Sequence, residues 1–211
     1  MKTYHKIQTV FLRDPDNKCK TLLEGQFSRL EFDYLAGNQW TFTEKVDGTN
    51  IRVMWDGSTV KFGGKAENTQ LHVNLVQHLR DTFTDEIMGK VFGFDANVLL
   101  YGEGCGAGIQ KHGDNYYGDT RFVLFDVEVG DWWLRRMDVD DVALKLGIPK
   151  VPVVGQGTLA DMVGLVSSGF ESVWGPFQAE GIVARPVTEL FARDGERIIT
   201  KLKAKDFAET V

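Results

Sequence analysis

The 211-residue sequence predicts an α+β domain, built mainly of antiparallel sheets with flanking helices. Three observations carry that prediction. Short runs rich in β-branched and aromatic residues are bounded by turn residues. Three longer stretches carry the apolar spacing and end signals of helices. No internal repeat, low-complexity tract or Pro/Gly/Ser-rich linker interrupts them, so residues 1–211 are expected to form a single domain.

The elements follow in order. Residues Trp40–Glu44, Thr49–Trp55 and Thr59–Phe62 read as strands, with Asp56-Gly57 as the hairpin turn between the last two. Leu71, Leu75, Val76 and Leu79 give Leu71–Phe83 the apolar face of an amphipathic helix. Val98–Gly102 and Phe122–Val129 are strand-like, the second alternating apolar residues with Asp126 and Glu128. Asp138–Leu146 is a helix stopped by Gly147 and Pro149, and Thr158–Ser168 a helix ended by Gly169. Gly181–Arg185 and Arg197–Leu202 are the closing strands.

Composition bounds the function. At 43% apolar and 26% charged residues, the chain is an ordinary globular one. Two distant cysteines, Cys19 and Cys105, exclude a disulfide framework or zinc cluster and suit a reducing compartment. No apolar run is long enough to span a bilayer and MKTYHK opens no signal sequence, so a cytoplasmic protein with no membrane partner is expected. The net charge of −6 means that any polynucleotide partner must meet a local basic surface instead of a global field.

Five stretches carry candidate chemistry. Lys45, in Lys-Val-Asp-Gly, stands in a strand-like run just before a turn. That is ordinary hairpin chemistry, or it is a lysine nucleophile. A nucleophilic amine must be unprotonated, so its pKa of about 10.4 has to fall through neighbouring cations or burial. ITKLKAKDF supplies such cations: Lys201 and Lys203 lie two apart, so both leave a strand by one face. An edge strand wearing lysines against aggregation reads equally well. Glu103 ends a strand before a glycine-rich loop and Glu180 precedes another strand; each is a solvated turn residue, a ribose hydroxyl acceptor or a hard-cation ligand. Phe125, beside Asp126, is core or a base-stacking platform.

Taken in order, these stretches resemble the covalent nucleotidyltransferase superfamily of polynucleotide ligases and mRNA capping enzymes. Lys45-Val46-Asp47-Gly48 is similar to motif I, Tyr101-Gly102-Glu103-Gly104 to motif III, Phe122–Asp126 to motif IIIa, Glu180–Arg185 to motif IV and Lys201-Leu202-Lys203 to motif V. Glu44–Asn50 further resembles the Glu-Lys-x-x-Gly-Thr-Asn signature of RNA ligase 2-like and related phage RNA ligases, and the Gly-Ile-Gln-Lys run at Gly108–Lys111 resembles phage ligase sequences. The resemblance implies an ATP-grasp-like nucleotidyltransferase domain and a three-step reaction. A lysine takes AMP from ATP as a phosphoramidate, AMP passes to a 5′-phosphate, and a 3′-hydroxyl displaces it to seal the strand.

By matched position, the resemblance makes Lys45 the nucleophile and sets Glu44 and Asn50 against the nucleotide. Glu103 accepts from the ribose and Phe125 stacks on adenine, ahead of Phe122. Glu180 holds Mg²⁺ or Mn²⁺, and Lys201 and Lys203 contact the α-phosphate. Lys65 falls where this branch has a phosphate-contacting arginine; lysine keeps the charge and loses the bidentate fork. Asp47 stands where RNA ligase 2-like enzymes often have histidine and DNA ligases aspartate. The implied partners are ATP and RNA, or else DNA or mixed nicks, and a monomer is expected. The eight residues after Lys203 leave no room for an OB-fold or helical domain, so a bare nucleotidyltransferase with a weak grip on nucleic acid is expected. A minimal DNA ligase, a capping guanylyltransferase and a non-catalytic nucleotide-binding module are the alternatives.

Overall fold

The computed structural model describes residues 1–66 and 69–207. In chain order its strands and helices are β1 (Gln8–Thr9), β2 (Phe11–Arg13), β3 (Leu22–Phe27), α1 (Leu30–Tyr34), β4 (Trp40–Glu44), β5 (Thr49–Trp55), β6 (Val60–Gly63), α2 (Val73–Thr82) and α3 (Asp85–Phe92). There follow β7 (Val98–Gly106), β8 (Thr120–Val129), β9 (Trp132–Trp133), α4 (Arg136–Leu146), β10 (Val153–Gly157), α5 (Leu159–Ser168), β11 (Gly181–Pro186) and β12 (Thr200–Lys203). They form two compact units. The first comprises Met1–His5 with Asp47–Val151, and the second Lys6–Val46 with Pro152–Val211.

The first unit is a sheet of order β6-β5-β7-β8-β9, antiparallel throughout. One face carries Ile51, Val53, Trp55, Leu100, Phe122, Leu124 and Val127, and packs on α2 and α4 through Leu75, Leu79, Val139 and Val142. Period-two alternation sends Asn50, Arg52, Tyr101, Glu103 and Glu128 to the other face. There the N-terminal residues lie over buried acids: Lys2 pairs with Glu128, and the Tyr4 hydroxyl donates to Asp126 at 2.7 Å. The β7–β8 register shifts beyond Tyr101, which opposes Asp126 while Gly102 opposes Leu124, so Phe125 occupies a bulge.

The second unit holds a sheet of order β1-β12-β11-β4-β10, with β1 parallel to β12 and the other pairs antiparallel, and a separate β2–β3 hairpin. Trp40, Phe42, Ile182, Ala184 and Leu202 line one face and meet Leu159, Met162 and Val166 of α5. A capping box starts α5: the Thr158 hydroxyl accepts from the Asp161 N–H, and the Asp161 carboxylate accepts from the Thr158 N–H.

The predicted elements are present with small shifts of boundary. The β5–β6 connection is wider than an Asp56-Gly57 dipeptide, because the Asp56 carboxylate gathers the N–H groups of Ser58 and Thr59 and the Lys61 ammonium and holds four residues out of the ladder. The edge-strand reading of the two lysines is corrected, since β12 lies between β1 and β11. Its outer neighbour β1 is two residues long, too short for periodicity to reveal.

Candidate active site

The second unit's sheet places the lysines. Trp40, Phe42 and Glu44 are buried on its core side, so alternation turns Lys45 toward the opposite face. The register then brings motif V beside it: Val183 faces Thr43 on one flank and Lys201 on the other, and Gly181 faces Lys203. The Lys45 N–H donates to the Gly181 carbonyl at 2.9 Å, and the Ala204 N–H to the Glu180 carbonyl at 2.8 Å. Glycine is required at 181, because a Cβ there would lie 2.0 Å from the Leu202 carbonyl oxygen.

Glu180 joins the two lysines. Lys45 Nζ donates to its Oε2 at 2.6 Å and Lys203 Nζ to its Oε1 at 2.5 Å. The three side chains are only 14–21% exposed. One carboxylate thus holds two cations at the mouth of the sheet, in the charge-assisted geometry that makes such bonds strong. Lys201 leaves β12 by the same face as Lys203, with Leu202 between them in the core.

Two further acids hold this arrangement from behind. Glu44 is 1% exposed; its carboxylate accepts the Ser172 hydroxyl at 2.6 Å and the Val173 N–H at 2.9 Å. Burial pushes its pKa up, and those two hydrogen bonds pull it partly back. The expectation that Glu44 lies against the nucleotide therefore changes: its side chain is spent on the core side, opposite Lys45. Asp206, also buried, accepts the Lys203 N–H at 3.0 Å and Arg13 Nη2 at 2.8 Å. Neither Ser172 nor Asp206 was found by sequence reasoning. Ser172 carries no local signal, whereas the three-residue spacing from Lys203 to Asp206 is a capping spacing.

The first unit carries the remaining candidates. Asn50 and Glu103 are opposite each other on β5 and β7, on the face away from the apolar core. Phe125 is half-buried in its bulge, its ring edge-on to Tyr4 with centroids 5.1 Å apart. Phe122 is fully buried and packs against Phe83, so it is core and offers no face to a base. Lys65 is exposed just beyond β6. Gly48 meets the start of the glycine-rich stretch so closely that a Cβ would lie 2.3 Å from the Gly104 carbonyl oxygen, and its own carbonyl accepts Gln110 Nε2 at 2.9 Å.

The RNA ligase family profile matches residues 38–203, which include every residue placed above from Glu44 to Lys203. The chain belongs to the RNA ligase family. Among solved structures it is similar to Naegleria gruberi RNA ligase. An arginine-to-alanine variant of that protein with ATP and Mn superposes with a TM-score of 0.68 at 17% identity, over 96% of this chain and 56% of that one. A glutamate-to-alanine variant with AMP and Mn gives 0.67 at 15%, over 97% and 55%, and an aspartate-to-alanine variant without ligand gives 0.65 at 16%, over 84% and 52%. The chain therefore spans little more than half the length of these structures. No curated protein matches it in sequence.

For an RNA ligase family member the donor set can be tested against a divalent metal. Among the described residues no three His, Cys, Asp or Glu side chains gather into a metal cluster. What is present is the single carboxylate of Glu180 beside two lysines. That set fits a Mg²⁺-like ion carried by nucleotide phosphates and water, which takes only one or two protein carboxylates, and does not fit a cage built by the protein.

Proposed function

We propose that this chain is an ATP-dependent RNA ligase acting through a lysyl-AMP intermediate. The observation that carries the proposal is the Lys45–Glu180–Lys203 bridge, which gathers a candidate nucleophile, a candidate metal ligand and a phosphate-binding cation at one point. In the first step Lys45 Nζ, having lost a proton, bonds to the α-phosphorus of ATP while the bond to the β-phosphate oxygen breaks and pyrophosphate leaves. In the second, the 5′-phosphate of RNA takes the adenylyl group and the lysine is freed. In the third, a 3′-hydroxyl attacks that activated phosphate and AMP departs.

The chain's residues supply positioning and charge, which is what phosphoryl transfer needs. Lys203 and Lys201 face the charge that develops on the α-phosphate. Before attack, Glu180 holds Lys45 Nζ in place through the 2.6 Å hydrogen bond, so Glu180 must let go for the amine to react. A divalent ion bound through Glu180 and the phosphates would neutralise triphosphate charge. Phe125 stacks on adenine, Glu103 accepts from the ribose, and Asn50 and Lys65 contact the nucleotide, as the family motifs imply. Glu44 serves through its backbone and its anchor.

Incubation with ATP labelled at the α-phosphate and Mn²⁺, followed by denaturing electrophoresis, tests the reading. Label on the wild type and none on Lys45→Ala is expected; label surviving in that variant would assign the nucleophile elsewhere. Nicks with RNA on the 3′-hydroxyl side, compared with all-DNA nicks, test the substrate. Equal sealing of both would make the protein a general polynucleotide ligase.

A further inference from the structure

A groove of about 940 Å³ in the second unit runs from motif V past β1 to the loop of the β2–β3 hairpin. Five lysines line it: Lys201 and Lys203 at one end, with Lys6, Lys20 and Lys205 along its length. Among the described residues its two carboxylates are already paired, Asp206 with Arg13 at 2.8 Å and Glu196 with Arg29 at 2.9 Å. The groove is therefore locally positive on a chain of net charge −6, the condition under which an anion is drawn to one place. Lys6, Lys20 and Lys205 are exposed.

We propose that this groove is the docking track for the phosphodiester backbone of the RNA substrate. The inference rests on the ligase reading above and extends it to residues outside the superfamily motifs. The lining decides between backbone and base. Among the described residues its one aromatic side chain, Phe11, is 7% exposed and offers no stacking platform for a base. Spaced ammonium groups on flexible stems neutralise phosphates without reading sequence. Because Lys201 and Lys203 belong both to the groove and to motif V, a strand lying along it leads directly to the proposed reaction centre.

The test compares the wild type with a Lys6→Ser, Lys20→Ser, Lys205→Ser triple variant. The probe is a fluorescent 5′-phosphorylated RNA oligonucleotide, read by anisotropy between 50 and 200 mM salt. Losing three phosphate contacts should flatten the slope of log K against log salt by about 2, so across that fourfold range the wild type should lose about 16-fold more affinity than the variant. Labelling of Lys45 by ATP should be unchanged. Equal slopes with normal labelling would overturn the groove alone. A raised KM for ATP with unchanged RNA affinity would assign the groove to the triphosphate and overturn it too. Failure of the wild type to take label would remove the ligase reading, while the RNA slopes still decide the groove.

Should the triple variant misfold, the wild type offers a second readout. Cys19 is exposed on the groove wall, while Cys105 is fully buried with its thiol pushed up to about 12 by burial, so only Cys19 should react with a maleimide. RNA should slow that alkylation several-fold at low salt and not at high salt. An unchanged rate at saturating RNA would overturn the proposal.

Discussion

The Ser172 hydroxyl donates to the buried Glu44 carboxylate at 2.6 Å, on the core side of the strand whose next residue, Lys45, emerges on the other. Two consecutive side chains, the last of β4 and the one after it, thus do opposite work. Glu44 fixes the strand to the loop at Ser172–Val173, and that fix aims Lys45.

Ser172→Ala would take the hydroxyl from this carboxylate and leave it the Val173 N–H. A lost partner for a buried charged group costs about 1–3 kcal/mol. Chemical denaturation should show a loss of that size, and a variant as stable as the wild type would show the anchor to be idle.

Glu180→Ala frees two ammonium groups to repel each other, and Lys203→Ala removes a cation from the proposed phosphate site. Each should slow Lys45 adenylylation by roughly 10²-fold or more while circular dichroism shows a folded protein. Normal rates of labelling in both would dissolve the metal and phosphate assignments.

Phe125 and Phe122 separate function from packing. Phe125→Ala should raise the KM for ATP by about 5- to 150-fold, the worth of one base–aromatic stack, and Phe125→Tyr should largely restore it. Phe122→Ala, inside the core, should instead cost about 3–5 kcal/mol of stability. Steady-state kinetics and unfolding curves on the same samples distinguish the two.

His78 gives a pH dependence. Its Nε2 accepts the Phe122 N–H at 3.2 Å, so the bond exists only in the neutral ring. Burial, then the Arg121 charge, lower its pKa from the ordinary 6.5, against the weaker pull of Asp119 and Asp81. The folded state therefore binds fewer protons than the unfolded one below 6.5. The stability His78 confers is full above that value and falls as the pH drops toward the folded pKa. His78→Gln, which can still accept from the Phe122 N–H, should shrink the fall in Tm between pH 7.5 and 5.5. An identical fall in both proteins would discharge His78 from the effect.

Much of this was legible because strands announce themselves by period two. Trp40-Thr41-Phe42-Thr43-Glu44 alternates, so both the strand and the face of Lys45 could be read, as could the shared face of Lys201 and Lys203. The pairing partners could not be read. β1 and β10 are short or glycine-rich, and their place beside β12 and β4 is fixed by long-range register. Glu44 showed the limit of local inference: a carboxylate next to the candidate nucleophile looks like a ligand contact until Ser172, far along the chain, is seen to take it.

The pairing of β1 with β12 has a consequence for how the molecule is made. Gln8 and Thr200, 192 positions apart, share a hydrogen bond within one sheet, and closing so long a loop is slow. On the ribosome, Lys45 is synthesised well before Glu180 and Lys203. In the nascent chain Lys45 therefore waits without either partner, and the Lys45–Glu180–Lys203 cluster assembles only once β12 joins β11.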